Sequence, residues 1–239
     1  MIIDCISDLH GCKPALQGGD LLIVAGDLTK SDKPIQYGEF AAWIQRQNYT
    51  KKILIAGNHD TYFENQGFEA IKDVYADIGV DYLCDSGTEF RYWPPLKPGM
   101  EDGTILDVKD YKIWGSPWSL WFYGVNPKCK AFMGSENVIR KKFDLIPNDT
   151  DILITHSPPY KFLDQAKRYD GTYENVGSAY LSARIFDMKP KLHVFGHIHE
   201  AYGETEVSGI HWPIPTKLVN CSHVNEHYEP VNKPVRIVL

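Results

Sequence analysis

Nine residues of this 239-residue chain with side chains suited to metal binding or proton transfer fall into five short clusters. These are Asp8-Leu9-His10, Gly26-Asp27, Gly57-Asn58-His59-Asp60, His156 and Gly196-His197-Ile198-His199. Imidazole and carboxylate donors suit manganese, iron and zinc, and the lack of thiolate in the clusters argues against a structural zinc. Asn58 would add a neutral oxygen, which completes coordination without weakening a metal's Lewis acidity as a further carboxylate would. Gly26, Gly57 and Gly196 permit tight turns and close backbone approach beside the donors. Two ions about 3.5–4 Å apart can bind both the attacking and the leaving oxygen of a displacement at phosphorus. Singly, most clusters have plainer readings: Gly-Asp is a common turn, Asn58-His59-Asp60 suits a helix cap, and an isolated His156 suits a structural role. His197-Ile198-His199 says more, because alternate residues of an extended segment project to one side.

The placement of the clusters says most. Each follows a short apolar run: Ile2–Ile6, Leu21–Ala25, Ile53–Ala56, Ile152–Thr155 and Leu192–Phe195. Ligands of open α/β sheets sit beyond the carboxyl ends of strands, so five such ends can converge on one crevice. Between the runs, Ile35–Gln47 has helical spacing with Tyr37, Phe40, Ala41 and Ile44 on one face. Pro34 suits its first turn, with Ser31 or Asp32 as the cap. Phe63–Ile78 reads as one helix ending near Gly79. This βαβα start predicts helices on a largely parallel sheet. Tyr82–Cys84, Thr88–Tyr92, Ile105–Val108 and Tyr111–Trp114 read as antiparallel strands, Asn137–Phe143 and Gly177–Met188 as helices, and Lys217–Asn220 and Val235–Leu239 as the last strands. With no repeat and no linker, one domain over residues 1–239 is expected.

Composition narrows the function. A 43% hydrophobic and 13% aromatic share belongs to a globular chain. A net charge of −6 argues against an extended nucleic acid as partner, yet admits a small anionic substrate if bound cations reverse the local charge. No run reaches the roughly 20 apolar residues that span a bilayer, so no membrane partner is expected. The opening residues lack the basic start of a secretory signal. Five scattered cysteines with no CxxC pair suggest free thiols in a reducing compartment, hence the cytoplasm. The sequence sets no oligomeric state.

The five motifs, in this order, resemble the calcineurin-like metallophosphoesterases, over residues 8–199. The resemblance implies a four-layer αββα sandwich of two mixed β-sheets with the metal site at the carboxyl ends of strands. It also implies two divalent ions, manganese first and iron or zinc as alternatives. Asp8, His10, Asp27 and His199 would hold one ion. Asp27, Asn58, His156 and His197 would hold the other, with Asp27 shared. A hydroxide bridging the ions would attack phosphorus in line. His59 would protonate the leaving oxygen, and Asp60 would orient His59 or cap the following helix.

A narrower resemblance rests on Trp114-Gly115-Ser116-Pro117-Trp118, Thr155-His156-Ser157-Pro158-Pro159 and Lys189–Glu200. It points to the metallophosphoesterase-domain-containing branch, which includes class III-type cyclic nucleotide phosphodiesterases. Ser157 stands where that branch usually has glycine, and Tyr160–Ala179 departs from its pattern. The expected activity is therefore hydrolysis of a cyclic nucleotide or nucleotide-like diester. The alternatives are a phosphomonoesterase, a nuclease and a silent metal-binding scaffold. Asp27 is followed by Leu28-Thr29-Lys30 rather than the Arg-Gly of protein phosphatases. Trp114, Trp118, Trp121, Phe122 and Tyr123, with Tyr160 and Phe162 as alternatives, either stack on a base or cover core. Lys128, Lys130, Arg140 and Lys167 are candidate phosphate contacts, Glu200 a partner of a metal ligand, His193 a core residue, and His223 a residue near the site.

Overall fold

The computed structural model describes residues 1–95, 107–121, 129–209 and 212–239. Its strands are β1 (Ile2–Ile6), β2 (Gly19–Ala25), β3 (Tyr49–Ile55), β4 (Asp81–Tyr82), β5 (Ser86–Tyr92), β6 (Lys109–Ser116), β7 (Ser119–Leu120), β8 (Met133–Gly134), β9 (Ile152–Thr155), β10 (Gln165–Lys167), β11 (Tyr173–Asn175), β12 (Leu192–Phe195), β13 (Gly203–Gly209), β14 (Trp212–Asn220) and β15 (Val235–Val238). Its helices are α1 (Pro34–Gln45), α2 (Thr61–Gln66), α3 (Phe68–Ala76), α4 (Glu136–Phe143) and α5 (Ala179–Met188).

Two mixed sheets result. The first runs β15-β1-β2-β3-β4, with β1 to β4 parallel and β15 antiparallel to β1. The second runs β13-β14-β12-β9-β6-β5, with β14, β12, β9 and β6 parallel and an antiparallel strand at each edge. Strand alternation then fixes the layers. Ile3, Cys5, Leu21, Ile23, Ile53 and Ile55 face Ile113, Ile152, Ile154, Leu192, Val194 and Val219 to form the core between the sheets. Leu22, Val24 and Leu54 face the other way, onto Phe40, Ile44, Phe63 and Tyr75 of α1 to α3. Leu153, Phe195 and Leu218 meet Ile139, Phe143, Leu181 and Ile185 of α4 and α5. The expected four layers, helices outside and two sheets inside, are present. No helix among the described residues is long and apolar enough to cross a membrane.

Several local expectations change. The helix expected over Phe63–Ile78 is two helices, because Gly67 at φ 83° and ψ 160° breaks the chain between them. Lys33 rather than Ser31 or Asp32 caps α1. Asp32 instead accepts hydrogen bonds from the Tyr37 hydroxyl at 2.6 Å and the Tyr62 amide at 2.9 Å. Tyr82–Cys84 is not an antiparallel strand; β4 lies parallel to β3 at the edge of the first sheet. Lys217–Asn220 is the end of the longer β14, whose antiparallel neighbour β13 is polar and alternates weakly. Half of Ile105–Val108, together with Phe122, Tyr123 and Lys128, lies outside the described residues.

Candidate metal centre

The parallel strands β1, β2 and β3 end on the same edge of the molecule as β9 and β12. Backbone bonds stitch this edge together. The Asp8 amide donates to Gly26 at 3.0 Å, His10 to Asp27 at 3.0 Å, Gly196 to His156 at 3.0 Å and Ser7 to Cys221 at 2.9 Å. Four of the site residues depart from ordinary backbone geometry: Asp8 at φ 51°, His10 at 41°, Asp27 at 56° and His197 at 71°. Such left-handed conformations each cost on the order of 1–3 kcal/mol and persist where the surroundings impose them. Glycine is required beside them. A Cβ at Gly196 would collide with Ser7 Oγ and the Asp8 carboxylate, and one at Gly57 with the Asp27 carboxylate.

The donors converge in two groups that meet at Asp27. In the first, His199 Nε2 lies 3.4 Å from Asp8 Oδ1 and 3.4 Å from His10 Nε2. His10 Nε2 lies 3.8 Å from Asp27 Oδ2. In the second, His156 Nε2 lies 3.4 Å from the same Asp27 oxygen and 2.9 Å from Asn58 Oδ1. The His197 ring packs against His156 with centroids 5.0 Å apart. Atoms bound at about 2.0–2.2 Å to one ion stand roughly 3–3.5 Å from each other, so these separations are compatible with shared ions, and without an ion His156 and Asn58 are within hydrogen-bond distance. His59 reaches the same space, its Nε2 3.9 Å from Asp27 Oδ2.

Partners around the donors aim them. Nδ1–H of His156 donates to the Ala25 carbonyl at 2.8 Å, and Nδ1–H of His199 to the Asn225 carbonyl at 3.1 Å. Both leave Nε2 toward the centre, the usual arrangement for metal-binding histidines. Asn58 Nδ2 donates to the Cys129 carbonyl at 3.2 Å, which turns Oδ1 inward. Asp8 Oδ2 accepts from Ser7 Oγ at 2.7 Å, Ser222 Oγ at 2.7 Å and the His197 amide at 2.9 Å. Its other oxygen, Oδ1, is buried with no hydrogen-bond partner. A buried carboxylate oxygen without a donor is costly, and a cation beside it removes the cost.

The electrostatics agree. Burial alone would raise the pKa of Asp27, yet His156 and His59 hold it well below the ordinary carboxylate value. Asp8 is likewise lowered, His199 outweighing its burial. Burial pushes His10 down to about 4 and His197 down to about 3. His156 is the exception: burial would lower it, but Asp27 dominates and lifts it to about 9. Ionised carboxylates and neutral imidazoles are the forms that ligate metals, and an ion would displace the proton from His156. The donor set, the buried Asp8 Oδ1 with only His199 Nε2 beside it, and the spacing all fit divalent ions.

The remaining sequence expectations sort by placement. The Asp60 carboxylate does not turn to the His59 ring. It accepts from the amides of Asp27 at 3.0 Å, Leu28 at 3.2 Å and Gly57 at 2.8 Å, and from the Tyr37 hydroxyl at 2.9 Å. It also stands at the N-cap of α2, without a side-chain capping bond. Glu200 accepts from the Lys167 amide at 3.0 Å rather than from a metal ligand. His193 is fully buried and bonded to Thr155 Oγ1 at 2.8 Å, as a core residue. His223 is tied to the Asn232 carbonyl at 2.8 Å. Trp114, Trp118 and Phe162 pack on the second sheet's outer core. Lys130 and Arg140 sit over the rings of Trp121 and Tyr180.

Sequence reasoning passed over Ser7, Ser222, Asn225 and Tyr228. Ser222 follows the carboxyl end of β14, the same position that marks the five clusters, so the strand-end rule could have found it. Tyr228 carries no such signal. Its ring lies 4.7 Å from His10, 5.4 Å from His199 and 6.3 Å from His59, centroid to centroid.

Residues 1–201 match the family model described as calcineurin-like phosphoesterase. The chain is 35% identical to human metallophosphoesterase domain-containing protein 1 over 98% of its own length and 70% of that protein. Among solved structures it resembles TT1561 of Thermus thermophilus, with a TM-score of 0.58 at 14% identity over 93% of this chain and 90% of that one. It also resembles the phosphopantetheinyl hydrolase of Mycobacterium tuberculosis, with a TM-score of 0.55 at 15% identity over 99% and 95% of the two chains. At such identities these two likenesses speak for the fold.

Proposed function

The chain belongs to the calcineurin-like phosphoesterase family, a group of metal-dependent phosphoester hydrolases, and from that premise we propose that it is a phosphodiesterase using two divalent ions, manganese first. The observation that carries this reading is Asp27 Oδ2, which faces His10 at 3.8 Å and His156 at 3.4 Å and so stands where one oxygen is shared between two donor groups. Asp8, His10, Asp27 and His199 would hold one ion; Asp27, Asn58, His156 and His197 would hold the other. When bound, the pair lowers the pKa of water and polarises the phosphoryl oxygens.

This chain's own groups supply the rest. His59 gives a proton to the leaving oxygen. Its side chain is 17% exposed against 5% for His10, and it lines the cleft through which an ester reaches the donors. Asp60 serves as a positioning residue, because its carboxylate joins the turns after β2 and β3 and so sets where Asp27 and Asn58 stand. The substrate is a small ester, with a cyclic nucleotide or nucleotide-like diester preferred over a monoester. All five cysteines are free, which supports the reading of a reducing compartment such as the cytoplasm.

The test is hydrolysis of bis-p-nitrophenyl phosphate beside p-nitrophenyl phosphate, on metal-stripped protein resupplied with manganese. Turnover restored by metal and favouring the diester is expected. Turnover favouring the monoester would replace the diesterase reading with a phosphatase.

A further inference from the structure

A cleft of about 690 Å³ opens onto His10 and His59, and Tyr228 forms part of its wall. Its size suits a ligand of nucleoside scale, since small-molecule pockets run from about 300 to 1,000 Å³. Leu28 and Phe40, both buried, close its floor, and the exposed Lys30 gives it positive charge. Tyr228 is not a loop residue that happens to lie near. It holds φ at 62°, a left-handed conformation that disfavours a bulky side chain. A closed turn imposes it. The Asn225 amide donates to Glu229 at 2.9 Å, the Tyr228 amide to Asn225 at 2.9 Å, and Asn225 Oδ1 accepts from the amides of His227 and Glu229 at 2.9 Å each. The same Asn225 carbonyl receives His199 Nδ1–H at 3.1 Å. The turn that aims Tyr228 is therefore anchored on a metal ligand. The ring crosses His10 at an interplanar angle of 77° and His199 at 87°, and the residue remains 46% exposed.

Resting on the phosphoester reading above, we propose that Tyr228 is a specificity-determining residue whose ring packs against a planar, aromatic or heterocyclic ester group held in this cleft. The phosphoryl group lies at the donors, and the organic group extends past His59 between Tyr228 and the side of the cleft that carries Lys30. Small alkyl esters do not reach the ring, so Tyr228 selects for planar groups without contributing to phosphoryl binding.

The experiment uses two probes with the same head and different bodies, methylphosphonate and phenylphosphonate. Their binding to the full chain loaded with manganese is measured by calorimetry, for the native protein, Tyr228→Phe and Tyr228→Ala. The native chain binds phenylphosphonate more tightly. Tyr228→Ala weakens phenylphosphonate by roughly 5-fold to 100-fold, the span that removal of a stacking ring covers. It leaves methylphosphonate within about 2-fold, and Tyr228→Phe keeps the preference. Equal loss of both probes would overturn the proposal by making Tyr228 a prop of the metal centre. No loss of either in Tyr228→Ala would also overturn it. Neither probe is hydrolysed, so a preference that persists in a protein without turnover removes the catalytic reading and keeps the subsite. Turnover with no preference does the reverse.

Discussion

The residue that separates catalysis from metal binding is His59. It shares space with His10 and Asp27, so geometry alone allows it as a donor or as an acid. The two roles differ in what His59→Ala does. As a proton donor its loss leaves both ions in place and lowers turnover by about 10²–10⁴-fold, the usual size of general acid catalysis. The loss is larger for esters with poor leaving groups, which need the proton most. Metal content by elemental analysis beside turnover on two leaving groups decides it, and an ion lost with the ring would make His59 a ligand. Ser222 gives a second expectation at this scale. Its hydroxyl is one of three donors on Asp8 Oδ2, so Ser222→Ala lets the carboxylate rotate and weakens metal affinity about 10–100-fold. Affinity unchanged in a titration would show that Ser7 and the His197 amide hold Asp8 without it.

At the scale of elements, the site depends on how turns are tied together. Asp60 is fully buried and takes three backbone amides from two loops. Asp60→Ala leaves those amides without an acceptor and costs about 3 kcal/mol or more. Urea unfolding measures it, and a loss under about 1 kcal/mol would mean that the loops hold without the carboxylate. A contrasting change is Gly38→Ala on the exposed face of α1, where an added Cβ meets nothing. It should stabilise by about 0.5–1 kcal/mol with no effect on metal content.

The same scale explains what could be read in the sequence. Runs such as Ile152–Thr155 and Leu192–Phe195 became strands with those bounds, because both faces are buried and nothing competes with an apolar signal. Phe63–Ile78 did not remain one helix, because Gly67 sits inside a pattern whose apolar spacing continues across the break. The antiparallel β13 was invisible because its less exposed face carries only Gly203, Thr205 and Val207, a weak apolar signal beside the exposed Glu204, Glu206 and Ser208.

For the whole molecule, the decisive feature is that two sheets bring their carboxyl ends to one edge. Ser7 at the end of β1 bridges to Ser222 beyond β14, so the sheets meet where the donors gather. Strand-end placement singled out the candidate donors without revealing which sheet each belongs to. The pairing of Asp8 with His199, or Asp27 with His156, depends on contacts across more than a hundred residues that local spacing cannot encode. Tyr228 was illegible for the same reason, since only the folded chain returns its turn to His10.

The proposed chemistry turns on an Asp27 oxygen shared by two ions. The direct measurement is metal stoichiometry by elemental analysis on manganese-loaded protein, native and Asp27→Ala, with circular dichroism to confirm folding. Two ions per native chain and at most one per folded Asp27→Ala chain are predicted. A single ion in the native chain, or two retained without Asp27, would contradict the shared centre on which the proposed chemistry depends.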